Sequence, residues 1–467
     1  MSKSGFQEAA GLEYDATIKM VAGSNKRLTA WRPLALPDFR LLWIGQSISV
    51  LGDQFYLVAL PWLILQLTGS GLKLGAVLLA ATVPRVAFQL VGGAVSDRIS
   101  PHKLMLASNI LRGVVCVILT ALATFGLLQL WHLFVLAAAF GAVDAFFYPA
   151  LRTFIPNIIQ KEELAAGNAL LQGSTMLVKF IGPSLAGLVI AAVGIGAAFG
   201  FDTASFFVAA LCLVLMKRKG SSAFALAHTE TEAAKAASNQ SLESLPGQEK
   251  GEVSDESTAT KHAKPTKLLA SIAEGLGYTL RDPVIRSLLI MIAVIEFAFA
   301  GPFTVGLASL ANIKFGGGST AFGVLLSALG GGLLVGTMLA GSLKTSLRLG
   351  VILIPMSLAL SVLLLLLGLV PNIFLACALT ATMGAIGGYM QVLIAVWLQT
   401  KPDAQMRGRV YSVVLLCGYG LTPLSYAIAG ALTQISVTFM FVATAIFLLV
   451  TTLLCALSGF TRGLTQA

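Results

Sequence analysis

Runs of about 20 apolar residues, long enough to cross the hydrocarbon core of a bilayer, recur twelve times along this chain. They cover approximately 39–67, 73–96, 104–126, 131–153, 165–191, 196–216, 284–311, 319–342, 348–369, 372–398, 406–433 and 436–458. In hydrocarbon every backbone N–H and C=O must be satisfied within the chain, so each run is expected to be a helix. Of 467 residues, 57% are hydrophobic and 11% charged, against about 25% charged in a soluble domain. Mean hydropathy is +0.86. A soluble enzyme, a disordered chain and a disulfide scaffold are excluded, because folded surfaces in water need polar cover. The five cysteines, Cys116, Cys212, Cys377, Cys417 and Cys455, all lie in apolar runs without a Cys-x-x-Cys pair. They read as small buried hydrophobes.

Six runs precede residue 217 and six follow 283. Residues 217–266 are rich in Ala, Ser, Thr, Glu and Lys and too poor in large apolar groups to build a core. Over 267–282, Leu268, Leu269, Ile272, Leu276 and Leu280 fall at helical spacing, which suits a helix lying in the interface. The division expected is a cytoplasmic tail over 1–38, a six-helix bundle over 39–216, a cytoplasmic linker with that helix over 217–283, a second bundle over 284–458 and a tail over 459–467. The polar start has no apolar stretch with a cleavage site, so no signal peptide is expected.

The net charge of +10 would suggest nucleic acid in a soluble protein. In a membrane protein its placement matters more. With the N-terminus inside, Lys73 and Lys314 are the only basic residues expected outside. Arg27, Arg32, Arg40, Lys103, Arg152, Lys161, Lys217, Arg218, Lys344, Lys401, Arg407 and Arg462 all fall inside. The bias predicts both termini and the linker on the cytoplasmic side. No nucleic-acid partner is expected; the lipid bilayer is.

The halves repeat. Gly75 to Gly93 in the second run matches Gly323 to Gly341 in the eighth. Gly182, Pro183 and Gly187 late in the fifth run match Pro423 and Gly430 in the eleventh. Two pseudo-symmetric six-helix bundles follow.

These residues carry a resemblance. Gly93-Ala-Val-Ser-Asp97-Arg98 resembles the G-x-x-x-D-R signature of the major facilitator superfamily between helices 2 and 3. Gly182-Pro183 through Gly187 resembles its helix 5 antiporter motif. FRLLWIGQSISVLGDQFYLVALPWLILQLTGS, YPALRTFIPNIIQKEELAAGNALLQG, FDTASFF and RGRVYS resemble the drug:proton antiporter branch with macrolide-efflux and enterobactin-exporter-like proteins. The likeness runs from residue 38 to 458. It departs at Ser100-Pro101-His102, where the signature has Gly and two basic residues, and at Thr345, which stands where the first half has Asp97. The resemblance implies that Gly93, Asp97 and Arg98 form a gate, with Asp97 facing the N-terminus of helix 11. It also implies that helices 1, 4, 7 and 10 line a central cavity.

Charge inside the membrane is costly and needs a partner, water or a purpose. Asp53, Asp144 and Glu296 fall on three of those four helices and are candidates for proton coupling or for binding a substrate cation. Burial favours a neutral carboxyl and a nearby cation favours an ionised one, so such a site can exchange a proton for a cationic or polar solute. A fixed interhelical ion pair is the alternative for each, with Arg112 as the partner for Asp144. Arg85, Arg112 and Lys179 are expected as charge partners, Arg112 near the cytoplasmic end where it can snorkel. Asp202, early in the sixth run, reads as a structural cap. Gln46, Tyr56, Phe147, Phe297, Tyr389 and Gln391 are candidate cavity lining for an amphipathic solute. Gly330, Gly331, Gly332 and Gly336 read as helix-packing residues.

No P-loop is present, the four histidines lack metal spacing, and no catalytic constellation appears; no enzyme, cofactor or metal is expected. The reading is a monomeric secondary transporter in the bacterial inner membrane. It would exchange protons for drug-like or siderophore-like small molecules by rocking two bundles around a midplane site. An importer, a lipid or metabolite facilitator, or a non-transporting receptor is the alternative.

Overall fold

A computed structural model of the chain describes residues 31–96, 99–216, 277, 279, 281–342, 349–401 and 406–457. Twelve helices are described. They are α1 (Pro37–Thr68), α2 (Gly71–Ser96), α3 (Pro101–Thr124), α4 (Leu130–Ile158), α5 (Leu164–Val193) and α6 (Ile195–Leu215). The second half holds α7 (Pro283–Gly301, continued through a π-helical stretch Pro302–Gly306 into Leu307–Ile313), α8 (Gly318–Ser342), α9 (Leu349–Leu369), α10 (Ile373–Thr400), α11 (Arg407–Leu432) and α12 (Val437–Leu457). Each lies within a few residues of an apolar run. No strand occurs among the described residues.

The helix ends follow local chemistry. Gly69 closes α1 in the left-handed region at φ 60°, a conformation that costs a Cβ-bearing residue more. Asn372 starts α10 by accepting the Leu375 N–H at 2.9 Å. Pro302 opens the π-helical stretch of α7, where its missing N–H interrupts the regular ladder.

Eleven of the helices are long and apolar enough to cross a bilayer. In the twelfth, α11, the apolar stretch found among the described residues is Leu416–Leu432. Side chains such as Leu188, Leu211, Val214 and Leu454 stand exposed on the outside of the bundle, where lipid is the apolar solvent. The chain is a multi-pass membrane protein.

The repeat survives in three dimensions as helix pairs six elements apart. The pairs α2–α4, α3–α6 and α1–α5 in one half answer α8–α10, α9–α12 and α7–α11 in the other. Across the halves, α2 packs on α11 and α8 packs on α5. Glycine permits the close approaches. A Cβ added at Gly332, Gly336, Gly384 or Gly388 would collide with backbone of the facing helix in the α8–α10 pair. Gly141 meets the Ala81 carbonyl in the same way in the α2–α4 pair.

Most of the expected linker helix lies outside the described residues; of its span, 277, 279 and 281 are helical. Residues 1–30, most of 217–280 and 458–467 also lie outside the description.

Candidate functional site

The centre of the first bundle is a charge cluster. Asp144 on α4 accepts from Arg85 Nη2 of α2 at 2.9 Å and from Arg112 Nη1 of α3 at 3.0 Å. Arg112 is 1% exposed. Its Nη2 donates to Asn109 Oδ1, one helical turn away, at 2.6 Å. Its guanidinium carbon lies 4.4 Å from the centre of the Phe147 ring and 4.5 Å from that of Phe206, so aromatic faces shield the cation where water cannot. Arg112 therefore does not snorkel. It lies eleven residues into α3, roughly 16 Å from the start of the helix at 1.5 Å per residue. Arg85 has the same partner but its side chain is 46% exposed, so it faces open space.

Asp53, mid-way along α1, lies in the electrostatic field of Arg112, Asp144, Arg85 and Lys179. Its carboxylate makes no hydrogen bond or ion pair with any described residue. Lys179 on α5 is exposed and has Asp53 as its electrostatic partner. Tyr148 of α4 and Tyr419 of α11, both exposed, lie in reach of Arg85. Asp53, Arg85, Tyr148, Lys179 and Tyr419 thus come from five helices to one opening between the bundles. Glu296 on α7 stands apart. It is exposed, unpaired, and lies against Gly418 of α11. Tyr426 of α11 feels both Arg85 and Glu296 and bonds to Thr304 in the π-helical stretch.

The bundles are held together at the end of the molecule where residues 69–70, 194, 314–317 and 433–436 connect the helices. There Gly71 and Gly75 abut Thr433 and the Tyr426 carbonyl, and Gln434 Nε2 donates to Ser70 Oγ at 3.1 Å. The helix 5 motif sits in the matching α5–α8 contact. Gly182 admits Gln54 of α1, while Gly187 lies against the Ser319 carbonyl. Ser319 Oγ donates to the Gly187 carbonyl at 3.1 Å, and the Ser184 N–H donates to Ser327 Oγ at 2.9 Å. Gly323 meets the Pro183 carbonyl. Towards the other end of the same two helices, a Cβ at Gly173 or Gly341 would meet nothing within 4 Å.

Several expected lining residues are elsewhere. Gln46, 8% exposed, and Phe147 lie in the packing of the first bundle near Met105 and Asn109. Tyr56 is stacked on Phe140 with centroids 4.4 Å apart and points its hydroxyl into that bundle without a partner. Phe297 packs on Phe447 of α12 at 5.3 Å. Helix α1 is apolar on all sides, so which face meets the cavity is set by packing rather than by hydropathy. Tyr389 is half-buried and Gln391 exposed on α10. Asp97 and Arg98 of the gating motif lie outside the described residues, and for Gly93 only its backbone in α2 is described.

Asp202 does not cap α6. The helix starts at Ile195 with Gly194 as its N-cap, and Asp202 comes two turns in, 0% exposed. Sequence reasoning missed Asn109 and Phe206, although the i, i+3 spacing of Asn109 and Arg112 on α3 places them on one face. It also missed Tyr419 and Tyr426, for which no local signal exists.

A family model described as Major Facilitator Superfamily matches residues 42–425. The multidrug efflux pump Tap of Mycolicibacterium fortuitum is 25% identical over 411 residues, 86% of this chain and 89% of that protein. Its namesake from Mycobacterium tuberculosis (strain ATCC 25618 / H37Rv) is 26% identical over 423 residues, 85% of this chain and 87% of that protein. Macrolide efflux protein A of Streptococcus pyogenes is 21% identical over 179 residues, 38% of this chain and 44% of that protein. Among solved structures, a POT family transporter in complex with 5-aminolevulinic acid superposes with a TM-score of 0.66 at 12% identity, covering 93% of this chain and 97% of that one. That likeness speaks to the fold alone.

Proposed function

The chain belongs to the Major Facilitator Superfamily, and from that premise we propose that it is a proton-coupled exporter of amphipathic, drug-like small molecules. The observation that carries the proposal is the contrast between two acids. Asp144 is occupied by both arginines, whereas Asp53 faces the opening with cations near it and none bound to it. A carboxylate left unpaired at membrane depth is a place where a proton and a substrate cation can compete. Relatives named as multidrug and macrolide efflux pumps support the direction of transport.

The cycle follows from the same geometry. Under the positive-inside rule the end that carries residues 69–70, 194 and 433–436 faces out. The contacts of α2 with α11 and of α5 with α8 then close the outer side, and the opening around Asp53 faces the cytoplasm. A solute enters there and takes the place of the Asp53 proton. Rocking the bundles breaks the Ser184–Ser327 and Ser70–Gln434 contacts and turns the site outward. Outside, a proton returns to Asp53 and releases the solute. Arg85, exposed and held by one carboxylate, is free to turn between Asp144 and Asp53, whereas Arg112 is fixed. Glu296, exposed on the second bundle against Gly418 of α11, supplies a second negative point for a cationic solute. Gly93, Asp97 and Arg98 complete the cytoplasmic gate, and the transporter works as a monomer in the bacterial inner membrane.

The test is resistance in a bacterium stripped of its own pumps, with a panel of toxic compounds and a protonophore. The proposal expects raised tolerance that the protonophore removes and that Asp53→Asn with Glu296→Gln abolishes. Full tolerance in the double variant would refute it.

A further inference from the structure

We propose that Asp202 is a second proton-binding site, sealed behind Asp53 between α1, α3 and α6; it rests on the coupling role given to Asp53 above. Asp202 is 0% exposed and its Oδ1 has no hydrogen-bond partner. Its Oδ2 accepts from the Cys116 thiol at 3.2 Å, a weak donor. The Ser205 hydroxyl, within the same turn, donates to the backbone carbonyl of Asp202 at 2.7 Å.

The charged and titratable groups around it are Asp53 and Tyr56 on α1 and Cys116 and Arg112 on α3. Lys179 of α5, the third helix packed on α6, is turned towards Asp53 instead. Arg112 is committed to Asp144 and Asn109 and lies against two aromatic rings. An ionised carboxylate without a cation is strongly disfavoured in such a place, and the neutral acid is the form that fits. Two neighbouring acids also cannot both ionise at low cost.

Gly52 connects the two. It precedes Asp53, and a Cβ there would collide with the Ser205 hydroxyl and lie 2.7 Å from Asp202 Oδ1, so the α1 backbone beside Asp53 lies directly against the Asp202 carboxyl and the Ser205 hydroxyl. At solute release the O–H bond at Asp202 breaks and one forms at Asp53, displacing the solute. The Asp202 carboxylate left behind is held by the Cys116 thiol and the field of Arg112. Refilling runs in reverse. The transporter thus keeps a proton in reserve while Asp53 is engaged by solute.

Infrared difference spectroscopy of the full-length protein in lipid nanodiscs at neutral pH tests this. The wild type minus Asp202→Asn spectrum is expected to show the carbonyl stretch of a neutral carboxylic acid and a shift of the Cys116 S–H stretch. Cys116→Ala is expected to shift the same carbonyl band and keeps the test open should Asp202→Asn not fold. Loss of ionised-carboxylate bands in place of the neutral one would overturn the proposal. After transfer to D2O, the carbonyl band is expected to exchange several-fold more slowly in Asp53→Asn; equal rates would overturn the route through Asp53. These readouts do not depend on transport. An Asp53→Asn protein that still pumps against a gradient would instead defeat the coupling role while leaving the Asp202 band in place.

Discussion

Asp144→Asn separates the structural arginine from the mobile one. The substitution leaves Arg112 buried at 1% exposure with a neutral partner, and removing one member of a buried pair costs about 3–5 kcal/mol. The Asn109 hydrogen bond and the two aromatic contacts persist in both proteins, so they neither add to this nor reduce it. The carboxamide oxygen can still accept from Arg112, which places the loss near the lower bound, about 3 kcal/mol. The Arg85 contact adds little, because a pair with one side chain 46% exposed is worth about 0–1 kcal/mol. At roughly 2–4 °C per kcal/mol for a unit the size of one bundle, Asp144→Asn should lower Tm by about 6–12 °C in purified protein. Arg85→Gln should lower it by less than about 4 °C. Adding Arg112→Met to Asp144→Asn removes the stranded charge and should recover most of the loss, about 2 kcal/mol, so the two substitutions fall well short of additive in a double-mutant cycle. The reasoning fails if Asp144→Asn melts with the wild type, if Arg85→Gln costs as much, or if the two substitutions simply add.

Three further outcomes follow from the contacts between the bundles and from the second half. A disulfide between Ser184→Cys and Ser327→Cys, at the point where the Ser184 backbone N–H donates to Ser327 Oγ at 2.9 Å, should lock the bundles and stop transport, with recovery on reduction; transport unaffected by a fully formed disulfide would count against rocking. Gly323→Val drives a side chain into the Pro183 carbonyl, so substrate efflux from cells should fall while a melting curve shows a loss of about 1–3 kcal/mol. Glu296→Gln should weaken efflux of cationic compounds more than neutral ones, read as the ratio of inhibitory concentrations; equal weakening would remove Glu296 from solute recognition.

The helices were legible because hydrocarbon leaves the backbone only one way to bond. Runs such as 39–67 and 436–458 therefore reappear almost unchanged, as Pro37–Thr68 and Val437–Leu457. The pairing of Asp144 with Arg112 was legible as the alternative reading of Asp144, since charge inside the membrane needs a partner; that Arg112 is buried rather than snorkelling was not. Asp202 was not. A carboxylate near the start of a helix suggests a cap, and the group it bonds to is Cys116, which reads as a hydrophobe. Gln46, Tyr56 and Phe147 show the other limit. In helices apolar on every face, the side that turns to the cavity is decided by neighbours such as Phe140 and Met105, which only the fold brings near. The opening between Arg85, Lys179 and Tyr419 joins residues far apart in sequence and left no local trace.

Proton movement coupled to solute movement tests the central claim most directly. In proteoliposomes with an acidic lumen and the cytoplasmic face outward, a cationic amphipathic dye should accumulate inside while the lumen loses protons. Both fluxes should stop with a protonophore and be absent in Asp53→Asn. Dye accumulation without proton flux, or undiminished accumulation in Asp53→Asn, would contradict the account.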